Sequence, residues 1–324
     1  MKQKNLLLLT LLIVFYSYSN ANGFPVKAKE IVLKAKECNI SGTLKVPQSN
    51  EKLPVALIIA GSGPTDRNGN QSMLNNNAYK MLSDSLNYYG IATLSYDKRG
   101  IAKSANKQKE SDLRFDDYVE DAKGWINLLS KDKRFSEIIV VGHSEGSLIG
   151  MIASQNNPKV SKFISLAGAG TPADEILKEQ LYLQLADQSL ELKTQIFNYI
   201  DDLKQGKLIE NVPLNLYVLF RPSVQPYMVS WFKYNPQEEI KKLDIPILIL
   251  QGDLDIQVGE TEAELLYNAN PNAKKVILKN MNHLLKTSQS DDMIEQLEDS
   301  YNNPTSPISG EAVDVIRRFS LNLF

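Results

Sequence analysis

Residues 137–151 read Glu137-Ile138-Ile139-Val140-Val141-Gly142-His143-Ser144-Glu145-Gly146-Ser147-Leu148-Ile149-Gly150-Met151. An apolar run passes through Gly-x-Ser-x-Gly into a helix-compatible segment, so the stretch reads as strand, tight turn, helix. So sharp a turn holds its middle residue at strained backbone angles, and side chains two positions to either side would collide with neighbouring elements. Gly142 and Gly146 remove that collision. A helix starting just after Ser144 aims unpaired N–H groups and the positive end of its dipole at charge developing near the serine oxygen. Ser144 is therefore a candidate nucleophile. The plainer alternative is a glycine-flanked strand end with a chance serine, and the purely apolar strand before it argues against that.

Similar runs recur along the chain. Residues 55–60, 91–96, 138–141, 163–167, 245–250 and 275–278 are apolar on both faces, as strands are when helices cover a parallel sheet on both sides. Upstream, residues 30–35 and 40–46 alternate in character around 36–39 and predict an antiparallel pair. Residues 79–89 have helical spacing and end at Gly90, a natural C-terminal cap. Phe115, Tyr118, Val119, Ala122, Trp125, Ile126 and Leu129 also fall at helical intervals. Strand, helix, strand in repetition predicts a doubly wound α/β fold.

Residues 171–240 break this rhythm. Ile176, Leu177, Leu181, Leu185 and then Leu192, Ile196, Ile200 and Leu203 predict a mostly helical insertion whose leucines pack helix on helix. Its later part carries Tyr217, Phe220, Tyr227, Trp231, Phe232 and Tyr234, a cluster suited equally to a core or to a pocket roof. Trp231, Phe232 and Tyr227 are the candidate pocket residues.

The 324 residues carry 36 Lys and Arg against 38 Asp and Glu, a net charge of −2. That balance gives no electrostatic case for nucleic acid or an acidic membrane surface. Lys2 and Lys4 precede an apolar run over 6–15 and then Ser19-Asn20-Ala21, the pattern of a secretory leader cleaved after Ala21. The run falls short of the roughly 20 residues that span a bilayer, which argues against the alternative of a retained anchor. The expected organisation is a signal peptide, 1–21, followed by one domain, 22–324, exported to the periplasm or the medium. Cys38 is the only cysteine, so the domain is held by packing and not by an internal disulfide.

A serine hydroxyl needs a base to take its proton and an acid to orient that base. The chain has two histidines. His143 is adjacent to Ser144 on the turn, where its side chain points away from its neighbour's. His283 follows the last predicted strand, at the strand ends where catalytic groups of open α/β sheets gather, and is the candidate base. Between them, after strand 245–250, Gln251-Gly252-Asp253-Leu254-Asp255-Ile256-Gln257-Val258 offers Asp253 and Asp255 as the acid, with an Asx turn or a helix N-cap as the plainer role for either. The N–H of Glu145 and that of Ser62, in the glycine loop Ala60-Gly61-Ser62-Gly63-Pro64, are the candidate oxyanion donors. That loop lacks the Lys-Ser/Thr ending of a phosphate loop, and Asp66-x-Asn68-x-Asn70 lacks the glutamate that would complete a calcium loop.

With these parts in this order the chain resembles the α/β-hydrolase superfamily from about residue 28 to its end. Gly61-Ser62-Gly63-Pro64-Thr65-Asp66-Arg67, Tyr96-Asp97-Lys98-Arg99-Gly100, Gly142-His143-Ser144-Glu145-Gly146, Trp231-Phe232 with Tyr234-Asn235-Pro236, and Gly252 to Val258 are similar to a bacterial group of serine carboxylesterases related to dienelactone hydrolases. In that group the aspartate before x-Gln-Val is the triad acid, so the resemblance implies Asp255 rather than Asp253. It departs at Ala60, where many relatives carry a histidine that braces the loop, and in lacking the cysteine nucleophile of dienelactone hydrolases proper. The resemblance implies an ester hydrolase with a serine nucleophile and a helical cap and supplies no substrate. With the residues above, the expectation is hydrolysis of carboxylic esters of small substrates through Ser144, His283, Asp255 and an acyl-enzyme, with no metal and no cofactor. A small serine aminopeptidase or a thioesterase on the same fold is the alternative, and a non-catalytic secreted binding protein a more distant one. Arg67, Asp97, Lys98 and Arg99 lie near the strand ends, where they either brace loops through ion pairs or bind a substrate carboxylate.

Overall fold

The computed structural model describes residues 23–106 and 108–324. The expected leader therefore lies outside the described residues. Along the chain run β1 (Val26–Ala35), β2 (Cys38–Pro47), β3 (Leu53–Ile59), α1 (Ala78–Tyr88), β4 (Ala92–Tyr96), α2 (Phe115–Leu129), β5 (Phe135–His143), α3 (Glu145–Ser154) and β6 (Lys162–Leu166). There follow α4 (Ala173–Gln184), α5 (Leu190–Lys204), α6 (Tyr217–Phe220), α7 (Gln225–Trp231) and α8 (Pro236–Ile240), then β7 (Ile247–Gly252), α9 (Glu260–Ala269), β8 (Lys274–Leu278), α10 (Met293–Gln296) and α11 (Gly310–Ser320).

The strands form one sheet in the order β1-β2-β4-β3-β5-β6-β7-β8. β1 pairs antiparallel with β2 and β2 antiparallel with β4, while β4 through β8 run parallel. This is the α/β-hydrolase arrangement, with an antiparallel pair leading a mostly parallel sheet. Alternation along β5 explains its unbroken apolar run. Ile138 and Val140 enter the core on one face with Phe115, Trp125 and Leu148. Ile139 and Val141 enter the core on the other face with Tyr79, Leu82, Leu86 and Ile316. Trp125 and Phe115 are fully buried, each contributing about 2–3 kcal/mol of apolar burial. α9 and α11 lie outside the helical patterns read from the sequence; α11 buries Ala312, Val313, Ile316 and Ser320.

From β3 the chain crosses to β4 on one side and later returns to β5 on the other, making a topological switch at the carboxyl ends of β3 and β5. In open α/β sheets a crevice opens at such a point. The segment between β6 and β7 is helical and holds a core of its own, with Ile196, Ile200, Leu203, Phe220, Met228 and Phe232 at its centre.

Candidate active site

β5 delivers Ser144 to the switch point, and α3 begins at the next residue. Ser144 has φ 54° and ψ −123°, a conformation that a non-glycine residue holds only under constraint. Its N–H donates to Leu166 O at 2.9 Å, tying the turn to β6. At Gly146 an added Cβ would collide with the carbonyls of Ile59 and Ala60, so β3 leaves no room there for any side chain.

Ser144 opens into a chamber of about 80 Å³ shared with Ser62, Glu145, Leu148, Ile176, Leu177, Trp231, Gln257 and Val258. The chamber brings the candidate nucleophile and both candidate oxyanion residues together under side chains of α4 and α7. Among the predicted pocket residues Trp231 lines it. Tyr227 lines a neighbouring cavity of about 400 Å³, and its hydroxyl donates to Glu145 Oε1. Phe232 is fully buried in the core of the helical segment instead, because α7 turns that position toward α5.

Asp255 and His283 meet beside this chamber. His283 Nδ1 lies 2.8 Å from Asp255 Oδ2, which also accepts from Gln251 Nε2 at 2.9 Å. Asp255 Oδ1 accepts the N–H groups of Gln257 at 2.8 Å and Val258 at 2.9 Å. Burial pushes the Asp255 carboxyl up, but His283 and those N–H donors outweigh it and hold it below the usual aspartate range. With Nδ1–H spent on the carboxylate, the free lone pair of the ring is on Nε2. Asp253 takes the structural part, its Oδ1 accepting the Asn280 N–H at 2.6 Å. No hydrogen bond joins Ser144 to His283 among the described residues.

His143, also buried, has both ring nitrogens engaged. Nδ1 lies 2.8 Å from the Tyr79 hydroxyl and Nε2 lies 2.7 Å from the His283 carbonyl oxygen. Burial, helped by the adjacent His283, pushes its pKa down to about 3, so the ring stays neutral.

The loop after β3 is braced at two points. Tyr79 OH accepts the Gly61 N–H at 2.9 Å, and Lys98 Nζ donates to Gly61 O at 3.0 Å. These bonds hold the loop that follows Ala60. Lys98 Nζ also donates to Glu145 Oε2 at 2.8 Å, and both side chains are buried. Arg67 pairs with Asp97 and Arg99 with Asp121. The four charged residues near the strand ends thus sit in ion pairs.

Sequence reasoning did not find Tyr79, Glu145 as a side chain, or the part played by Tyr227. Tyr79 left one faint signal, a tyrosine on the apolar stripe of α1, where a buried hydroxyl must find a partner. Among the described residues no group of three or more His, Cys, Asp or Glu side chains is gathered where it could hold a metal ion.

The chain is 26% identical over 250 residues to "Esterase EstD" of Thermotoga maritima, an alignment covering 76% of this chain. It spans 58% of that esterase's own length. Est1E of Butyrivibrio proteoclasticus, solved with ferulic acid bound, superposes with a TM-score of 0.60 at 18% identity, over 90% of this chain and 98% of Est1E. An esterase of Pyrococcus furiosus, Pf2001, gives a TM-score of 0.55 at 15% identity, over 80% of this chain and 84% of its own. At those identities the two structures speak for the fold alone. Residues 75–287, well over half of the chain, match the hydrolase family described as serine aminopeptidase, S33. The protein belongs to that family.

Proposed function

We propose that this protein is a serine hydrolase that cleaves carboxylic esters of small acids through Ser144, His283 and Asp255. The observation that carries the reading is the strained Ser144 opening, with Ser62 and Glu145, into one small chamber beside a buried His283–Asp255 pair. In the reaction His283 Nε2 takes the Ser144 proton as the oxygen attacks the carbonyl, and the N–H groups of Ser62 and Glu145 receive the oxyanion. His283 then returns the proton to the leaving alcohol, and water released onto the acyl-enzyme repeats the cycle. Catalytic hydrogen bonds are often open in the free enzyme and tighten with substrate, which accommodates the absence of a Ser144–His283 bond.

The acyl group stays on Ser144 until water removes it, so the Ser144 chamber limits its size. A cavity of about 150 Å³ holds benzene; at about 80 Å³ this one suits a short unbranched acyl group. Peptide hydrolysis is the second reading, favoured by the family's description. An aminopeptidase must seat an α-ammonium group beside a free carboxylate, and the acidic side chain lining the chamber, Glu145, is engaged by Lys98 and Tyr227. That favours esters.

The test is turnover of p-nitrophenyl acetate, butyrate and octanoate and of aminoacyl p-nitroanilides by the wild type and Ser144→Ala. Acetate and butyrate are expected to be cleaved best, and the substitution to lower kcat by at least about 10³-fold with the fold intact. Retained ester turnover in Ser144→Ala would remove the nucleophile assignment, and faster anilide than ester cleavage would move the reading to a peptidase.

A further inference from the structure

A chain of hydrogen bonds crosses the candidate site and passes through the residue beside the nucleophile. The Gly61 N–H donates to the Tyr79 hydroxyl, the hydroxyl meets His143 Nδ1, and His143 Nε2 meets the carbonyl oxygen of His283. A carbonyl can only accept, so Nε2 carries the ring's hydrogen and Nδ1 is the acceptor. Tyr79, already accepting from Gly61, donates to that nitrogen. The direction of every bond is thereby fixed, with each N–H and O–H hydrogen donated once. All three side chains are nearly sealed from water, Tyr79 at 5%, His143 at 4% and His283 at 3% exposure. The packing is close as well: a Cβ on Gly61 would stand 3.1 Å from Ser144 Cβ and 3.2 Å from His143 Nδ1.

We propose that His143 and Tyr79 are positioning residues that hold the oxyanion loop at Gly61 and the main chain of His283 in one register across Ser144. The inference rests on the ester-hydrolase reading. Neither side chain touches the reacting atoms. They act through the N–H of Ser62, one residue beyond Gly61, and through the ring of His283. Oxyanion donor and base lie on loops after different strands, β3 and β8, and the sheet alone does not fix the distance between two such loops. A catalytic constellation must be held within about 0.5 Å, and a displacement near 1 Å costs on the order of 10²-fold in rate. From position 143, a free position in Gly-x-Ser-x-Gly, the ring bonds to the His283 main chain directly and to the Gly61 loop through Tyr79.

The experiment measures kcat and KM for p-nitrophenyl acetate, and the rate of Ser144 labelling by a fluorophosphonate, in the full-length wild type, Tyr79→Phe, His143→Gln, His143→Phe and the Tyr79→Phe/His143→Gln pair. Tyr79→Phe deletes one oxygen and is expected to lower kcat and the labelling rate about tenfold, the size of one lost buried hydrogen bond, with KM within about twofold. His143→Gln keeps an N–H donor for the His283 carbonyl and should retain more activity than His143→Phe. Because the two residues act through one chain, the double variant should be no slower than the slower single. An unchanged kcat in Tyr79→Phe, an effect on KM alone, or losses that multiply in the double variant would overturn the proposal, and Tyr79→Phe decides it even if the His143 variants do not fold. A wild type that neither cleaves the ester nor labels overturns the ester-hydrolase reading, and the positioning role with it. An active wild type with indifferent variants overturns the positioning role alone.

Discussion

His143 shows what burial does to a single titratable ring. Burial and the neighbouring His283 lower its pKa from 6.5 to about 3, so the unfolded chain takes up a proton near pH 6.5 that the folded protein refuses until about pH 3. Between those values the unfolded state binds more protons, and stability is lost as the pH falls, at about 1.4 kcal/mol per unit from this group. His143→Gln removes the titration. Its stability in urea, compared at pH 7 and pH 4, should fall by less than that of the wild type; equal losses would show that His143 does not carry the acid sensitivity. At the same scale Ser144 and His283 were legible as candidates in the sequence, since the turn motif marks one and the count of two histidines leaves the other. Phe232 was not placed from the sequence, because an aromatic at helical spacing looks the same whether its helix turns it to a cavity or to a core. The carboxylate of Glu145 escaped notice for a different reason: its importance comes from Lys98 and Tyr227, 47 and 82 residues away.

Strand and helix ends set the loops that carry the site. β7 ends at Gly252, where an added Cβ would overlap the Met281 carbonyl. At this close approach the loop holding Asp255 lies against the loop holding His283, and the Leu254 N–H donates to that same carbonyl at 3.1 Å. Gly252→Ala is expected to destabilise the protein by about 2–3 kcal/mol through overpacking and to lower turnover by forcing the two loops apart. Gly310→Ala, at the start of α11 with open space around it, serves as the control. Urea denaturation together with kcat on p-nitrophenyl acetate checks this, and a Gly252→Ala protein as stable and active as the control would refute it. The elements themselves were readable because each buried strand is a short run apolar on both faces, a pattern that a doubly covered sheet imposes locally. α9 and α11 fell outside that reading. α11 nonetheless places Ala312, Val313, Ile316 and Ser320 at helical intervals and buries them, a signal of the same kind as that of the helix over 115–129.

Across the whole molecule, the helical segment between β6 and β7 is bonded to the centre of the site. The Tyr227 hydroxyl in α7 donates to the Glu145 carboxylate, and Lys98 at the end of β4 donates to that carboxylate and to Gly61 O. Glu145 thus joins the helical segment, the loop after β3 and the first turn of α3. Tyr227→Phe leaves a buried carboxylate short of one donor and should cost about 1–2 kcal/mol of stability. It should also lower kcat/KM for p-nitrophenyl acetate about tenfold. Thermal or urea unfolding with steady-state kinetics reads both, and a variant unchanged in each would show that this bond does not couple the segment to the site.

By itself the sequence determined the α/β class and the strand-turn-helix that presents Ser144, and it named His283 and, through family resemblance, Asp255 as candidates. Those features are written in local periodicity, turn chemistry and residue counts, which act over a few neighbouring positions. Tertiary structure alone decided which aromatic faces the chamber, how small that chamber is, and that Tyr79, His143, Lys98 and Glu145 hold its walls. Each of those depends on contacts between residues far apart in the chain, whose partners are fixed only when the sheet closes and the helices pack across it.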